Sequence, residues 1–112
     1  MACEITSREQ RFCEHRDIPI IYAKMPAQDT PFFDIQQYFE PSAKFIKSAK
    51  DSGGVVLVHC NAGVSRSAII VANYVANEFG LNARDALKFV KERRRKIRPN
   101  VGFIEQLMAS HP

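Results

Sequence analysis

The hydrophobic residues of this chain fall into short runs with different periods, separated by segments rich in turn residues. Ile18 to Lys24 (Ile-Pro-Ile-Ile-Tyr-Ala-Lys) is short and β-branched, with Pro19 confined to its entrance, which predicts a strand. Met25 to Pro31 carries two prolines and the pair Asp29-Thr30, residues that resist both helix and ladder, and so predicts a loop. From Asp34 the period becomes helical. Pro41 is tolerated only near a helix start, so the pattern predicts a short first turn and a second helix beginning near Pro41 and running to Asp51. Gly53-Gly54 would end it. Val55-Val56-Leu57-Val58 is apolar without alternation and predicts a central strand covered on both faces. Ser67 to Phe79 is apolar at helical spacing and Gly80 supplies a left-handed stop. Asn82 with Asp85 is an N-cap signal, after which Ala83, Ala86, Leu87, Val90 and Ile97 form one stripe up to Pro99. A last short helix is expected over Gly102 to Ala109.

Strand, helix, strand and three further helices imply one α/β domain over residues 1–112, with a small, mostly parallel sheet flanked by helices. Composition agrees, since 46% apolar and 25% charged residues are ordinary for a globular domain. The longest apolar run, Ala68 to Ala72, is far short of the ~20 residues of a membrane span, and Met1-Ala2-Cys3-Glu4 has no apolar leader. A cytoplasmic location, extending to the nucleus, is therefore expected, with no membrane partner and reduced thiols. The three cysteines make neither a disulfide framework nor a zinc spacing, and no cofactor is expected. A formal charge of +4 suits an anionic partner, and it equally suits plain solubility. The basic run Lys91 to Arg98 reads first as a solvated helix end whose cations complement the dipole, and second as a dock for an acidic partner or nucleic acid; for the protein as a whole no nucleic-acid partner is expected.

Between the expected central strand and the following helix stands His59-Cys60-Asn61-Ala62-Gly63-Val64-Ser65-Arg66-Ser67. Ligands of open parallel sheets bind beyond the carboxyl ends of strands, and here a thiol sits at that end with a helix N-terminus just after it. Successive amides wrapped between the two would form an anion nest, with Gly63 allowing the turn and the small Ala62 and Ser65 leaving the amides accessible. Arg66 would add planar, bidentate recognition of two phosphate oxygens. Cys60 would be held as thiolate by the same donors, and the Ser67 hydroxyl is placed to donate to its sulfur. More thiolate does not by itself mean faster attack: with a Brønsted slope of ~0.4–0.5, the gain in thiolate fraction is nearly offset by lost intrinsic nucleophilicity. Most of the rate gain must then come from charge stabilisation on the transferring oxygens. A packing cysteine would not require Gly, Arg and Ser at these positions, whereas Cys3 and Cys13 are read as packing or surface residues. Asp29 lies on a loop at the end of the first strand, where a general acid and an ordinary solvated turn residue are equally good readings. His15 and His111 are expected to be solvated.

The loop from His59 to Ser67 resembles the signature of the dual-specificity subgroup of cysteine-dependent protein phosphatases. The resemblance extends over nearly the whole chain, through Tyr22 to Thr30, Tyr38-Phe39 with Phe45-Ile46, and Arg98-Pro99-Asn100-Val101-Gly102-Phe103. It implies that Cys60 attacks phosphorus, that Arg66 and the amides of Asn61, Ala62, Gly63, Val64 and Ser65 hold the phosphate, and that Ser67 assists the sulfur. It further implies Asp29 as acid and then base, Asn100 as a brace for the signature loop, His59 as a buried support, and no metal. The implied substrate is a phosphorylated protein, a protein kinase among them, bearing phosphotyrosine, phosphoserine or phosphothreonine. The loop adds no Lys to Asn61, Ala62, Val64 and Ser65, which disfavours polyphosphorylated inositol head groups.

Members of this family usually carry a helix and two strands before the point matched by Met1. Their absence would leave the Val55 to Val58 strand with an open edge, so association, including a homodimer, or a low melting temperature is expected. Two other readings stay open: a phosphate-binding pseudophosphatase-like module with little turnover, and another thiolate enzyme such as a sulfurtransferase or arsenate reductase. Asp29 in its loop and Ser67 after Arg66 oppose the latter. Under oxidants, Cys3 pairing with Cys60 is a further alternative.

Overall fold

The helical period that begins at Asp34 resolves into two pieces: a 3₁₀ turn, Ile35–Tyr38, runs directly into helix α1, Phe39–Asp51, in a computed structural model that describes residues 23–60 and 65–112. Pro41 is the third residue of α1, where its missing N–H would have had no intrahelical partner. At the other end Gly53 takes φ 77°, its N–H donates to Lys50 O at 2.9 Å and the Gly54 N–H donates to Ala49 O at 2.8 Å. These two bonds are the Schellman pattern that the Gly-Gly pair announces, and they satisfy the last carbonyls of the helix.

Helix α2 spans Arg66–Phe79, α3 Ala83–Arg93 and α4 Val101–Ser110. Gly80 closes α2 at φ 64°, and the Leu81 N–H donates to Ala76 O at 3.0 Å. Asn82 caps α3 by accepting from the Asp85 N–H at 2.8 Å, as the sequence pattern predicts. Helix α2 packs against α1, α3 and α4. It is accordingly apolar nearly all round, with Ala68, Ile69, Ile70, Ala72, Val75 and Ala76 all buried. Phe103 and Leu107 of α4 and Ile35 of the 3₁₀ turn complete the most deeply buried part of the core.

The expected sheet is not seen among the described residues, which contain no extended strand; Lys24 and His59 each form an isolated β-bridge. Other expectations need correction. Val55 and Leu57 are 98% and 71% exposed, while Val56 and Val58 pack against the core. The run is thus buried on one face, because alternate side chains point to opposite sides of an extended backbone and a purely apolar run cannot report which sides are covered. Residues 18–22 of the first expected strand lie outside the described residues. Helix α3 stops at Arg93, before the end of its predicted stripe: Arg94 turns to φ −139°, ψ 94°, and Ile97 reaches the core from the connecting turn. The last helix begins at Val101 and ends at Ser110, one residue wider at each end than its apolar pattern.

His111 is also not solvated as expected. Its Nε2 lies 2.9 Å from Asn73 Oδ1, Asn73 Nδ2 donates to Phe39 O at 2.9 Å, and the His111 carbonyl accepts from the Ala83 N–H at 2.8 Å. The chain end therefore ties α1, α2 and α3 together. Partial burial pushes the His111 pKa below its ordinary value. A base with a lowered folded pKa favours the neutral form in the fold, so the unfolded chain takes up the proton first and stability falls as pH drops through the unfolded value of ~6.5. Urea unfolding midpoints measured at about pH 7.5 and about pH 5.5 should show this loss, and His111→Gln should flatten the slope across that window.

Candidate active site

A sulfur at the foot of a helix can be stabilised as an anion by N–H groups of the first turn, and one such group faces Cys60. Its side chain is buried, its Sγ accepts from the Ser67 N–H at 3.5 Å, and its Sγ and Ser67 Oγ are 3.3 Å apart, the thiol donating to the hydroxyl. Ser67 is the second residue of α2, so its amide is one of the orphan donors of the helix start. On ionisation the hydroxyl can turn and donate to the sulfur instead.

Arg66, the first residue of α2, is buried, and its Nη1 donates to Ala27 O at 2.9 Å. That bond joins the helix bearing the thiol's donors to the loop that carries Asp29. Met25 and Ala27 of this loop are themselves in the core, so the loop is anchored on both sides of Pro26, while Asp29 stays exposed. Asn61, Ala62, Gly63 and Val64, the greater part of the expected phosphate cradle, lie outside the described residues. Ser65 is described: its hydroxyl is buried and accepts from the Asn100 N–H at 3.0 Å. His59 is half-buried beside Cys60.

Asn100 links three of the expected site elements at once. Its backbone N–H reaches Ser65, its Oδ1 accepts from the Phe103 N–H at 2.9 Å as the cap of α4, and its Nδ2 donates to Asp29 Oδ1 at 2.9 Å. Thus one residue spans the segment after Cys60 and the loop of Asp29.

Helix α4 holds the Asp29 loop by contacts the sequence reading missed. A Cβ placed on Gly102 would fall 1.9 Å from Pro31 O, so the loop's backbone rests against the first turn of α4 where only glycine leaves room. Further along, Gln106 Nε2 donates to Phe33 O at 2.8 Å, and the Gln36 N–H donates to Gln106 Oε1 at 2.9 Å. A glycine inside a helix costs about 0.5–1 kcal/mol relative to alanine, and its presence at the second helical position was the available signal. Gly102→Ala should lower stability by about 1–3 kcal/mol by overpacking. It should also lower kcat by about 10²-fold if Asp29 moves by even ~1 Å, read by denaturation and by turnover of an aryl phosphate.

Among the described residues no group of three His, Cys, Asp or Glu could hold a metal ion, and no helix is long and apolar enough to cross a membrane.

The family described as "Dual specificity phosphatase, catalytic domain" matches residues 3–111. The human serine/threonine/tyrosine-interacting protein is 44% identical over 86 residues, covering 77% of this chain and 39% of that protein. A Dictyostelium discoideum protein named MAP kinase phosphatase with leucine-rich repeats protein 3 is 42% identical over 87 residues, 78% of this chain and 10% of that one. This chain therefore spans about two fifths or less of these relatives. Among solved structures, human DUSP28 aligns with a TM-score of 0.76 and 33% identity over 79% of this chain and 60% of that one, an agreement of fold as well as sequence. A match across nearly every residue means that this chain belongs to the dual-specificity phosphatase family.

Proposed function

We infer that this protein is a phosphoprotein phosphatase that hydrolyses phosphotyrosine and phosphoserine or phosphothreonine through a cysteinyl-phosphate. The observation that carries the reading is the joint placement of Cys60 Sγ on the Ser67 amide and of Asp29 on Asn100, whose own amide reaches Ser65. Nucleophile and acid thus belong to one hydrogen-bonded frame. The Cys60 thiolate attacks phosphorus, the S–P bond forms as the ester P–O bond breaks, and Asp29 gives its proton to the departing oxygen. Water then attacks phosphorus, Asp29 takes a proton from it, and inorganic phosphate leaves with the thiolate restored. Arg66 and the amides of Asn61 to Ser65 would hold the equatorial oxygens, where the charge of a loose transition state resides.

The parallel sheet expected from the sequence belongs to this proposal, as the element that sets Cys60 at a strand end. A phosphorylated protein kinase is a fitting substrate class, given the name of the Dictyostelium relative. Rapid-quench mixing with a radiolabelled aryl phosphate tests the chemistry: a burst of phenol close to one equivalent should appear with label bound to Cys60. Phosphate-competitive tungstate binding without any burst would instead favour the binding-module reading.

A further inference from the structure

The cations of this chain are unevenly placed. Helix α3 and the turn leading to α4 border a groove of about 1010 Å³, floored by Leu87, Ile97, Pro99 and Ile104. Its rim carries Arg84, Lys88, Lys91, Arg95 and Arg98 against the single carboxylate of Glu92. The lining thus holds a net charge of +4, equal to the formal charge of the whole chain, and the remaining residues balance to zero. Among the described residues none of these five cations makes an ion pair; the ion pairs there lie on α1 and between α1 and α2. A helix end that merely complements its dipole needs cations in the last turn only. Here Arg84 lies in the first turn of α3, at its positive end, where the dipole disfavours it, and Lys88 lies mid-helix, where the dipole gives it nothing.

We propose that this groove docks an acidic segment of a partner protein, an extended run of Asp and Glu carrying two adjacent apolar side chains. These sit on Leu87 and Ile104, and the flanking carboxylates meet the Lys and Arg rim. Charge complementarity speeds encounter and sets register, while the apolar floor supplies the part of the affinity that salt does not screen. A floor of this kind also separates the proposal from a general polyanion surface, which would have no use for apolar contact. Arg98 and Pro99 of the groove directly precede Asn100 in the chain. Binding itself does not depend on turnover.

The test is fluorescence anisotropy of the whole chain with a short labelled peptide of Asp and Glu bearing a central Leu-Phe pair. Saturable binding is expected, weakened at least severalfold when Ser-Gly replaces Leu-Phe. The exposed pair Lys88→Glu with Lys91→Glu should weaken it about tenfold with an unchanged melting temperature and unchanged turnover of a small aryl phosphate. Equal binding of both peptides, displacement by a nucleic-acid oligomer at lower concentration than by the peptide itself, or no saturable binding would each overturn the proposal. If aryl phosphate turnover fails in the unaltered protein while the peptide still binds, the phosphatase reading falls and the docking site stands.

Discussion

Cys60→Ser should lower turnover of an aryl phosphate by about 10⁴–10⁶-fold, while tungstate still binds. The reason is the state of the atom at the helix foot. The first-turn amide of Ser67 points at Sγ, and a hydroxyl stands beside it. Such donors favour a thiolate over a thiol. A serine hydroxyl in the same place remains neutral, because its pKa lies far above that of a thiol. The substitution keeps the size of the side chain and leaves Arg66 on Ala27, so the fold and the anion site persist while the attacking atom is lost. Ser67→Ala should be milder, removing the hydroxyl that assists the departing sulfur and slowing breakdown of the intermediate more than its formation. A single-turnover experiment separates the two steps. Residual activity in Cys60→Ser within tenfold of the unaltered protein would end the covalent mechanism.

Local chemistry explains what could be read from the sequence and what could not. Helix boundaries were legible where a residue enforces them: Gly80 and Gly53 take positive φ, Asn82 caps through its own side chain, and Pro41 can stand only at a helix start. The placement of Cys60 against the start of α2 was legible for the same reason, since thiol, glycine, arginine and serine stand within eight consecutive residues. Non-local arrangements were not. Whether Val55 and Leu57 are covered depends on what lies across the backbone, and their apolarity is silent on that. That Asp29 accepts from Asn100, 71 residues away, follows from the docking of α4 on the loop, which in turn depends on the absence of a Cβ at Gly102. His111 was misjudged because a chain end is ordinarily solvated, and here Asn73 captures it.

Asp29→Ala should slow turnover by about 10²–10⁴-fold, and the loss should grow with the basicity of the leaving group. A nitrophenolate departs without much help, whereas an alkoxide like that of serine must receive a proton as the P–O bond breaks. The variant should therefore show a steep dependence of kcat on leaving-group pKa where the unaltered enzyme shows a shallow one. Asn100 separates the acid's presence from its placement. Asn100→Ser keeps an oxygen for the cap of α4 and the amide that reaches Ser65, but it is too short to hold Asp29 at 2.9 Å. It should leave the melting temperature nearly unchanged and steepen the same dependence, with a rate loss smaller than that of Asp29→Ala. The double variant should be no worse than Asp29→Ala alone, because a residue that acts only by placing the acid has nothing left to place. Additive losses would show that Asn100 serves the reaction through Ser65 and the anion loop, independently of Asp29.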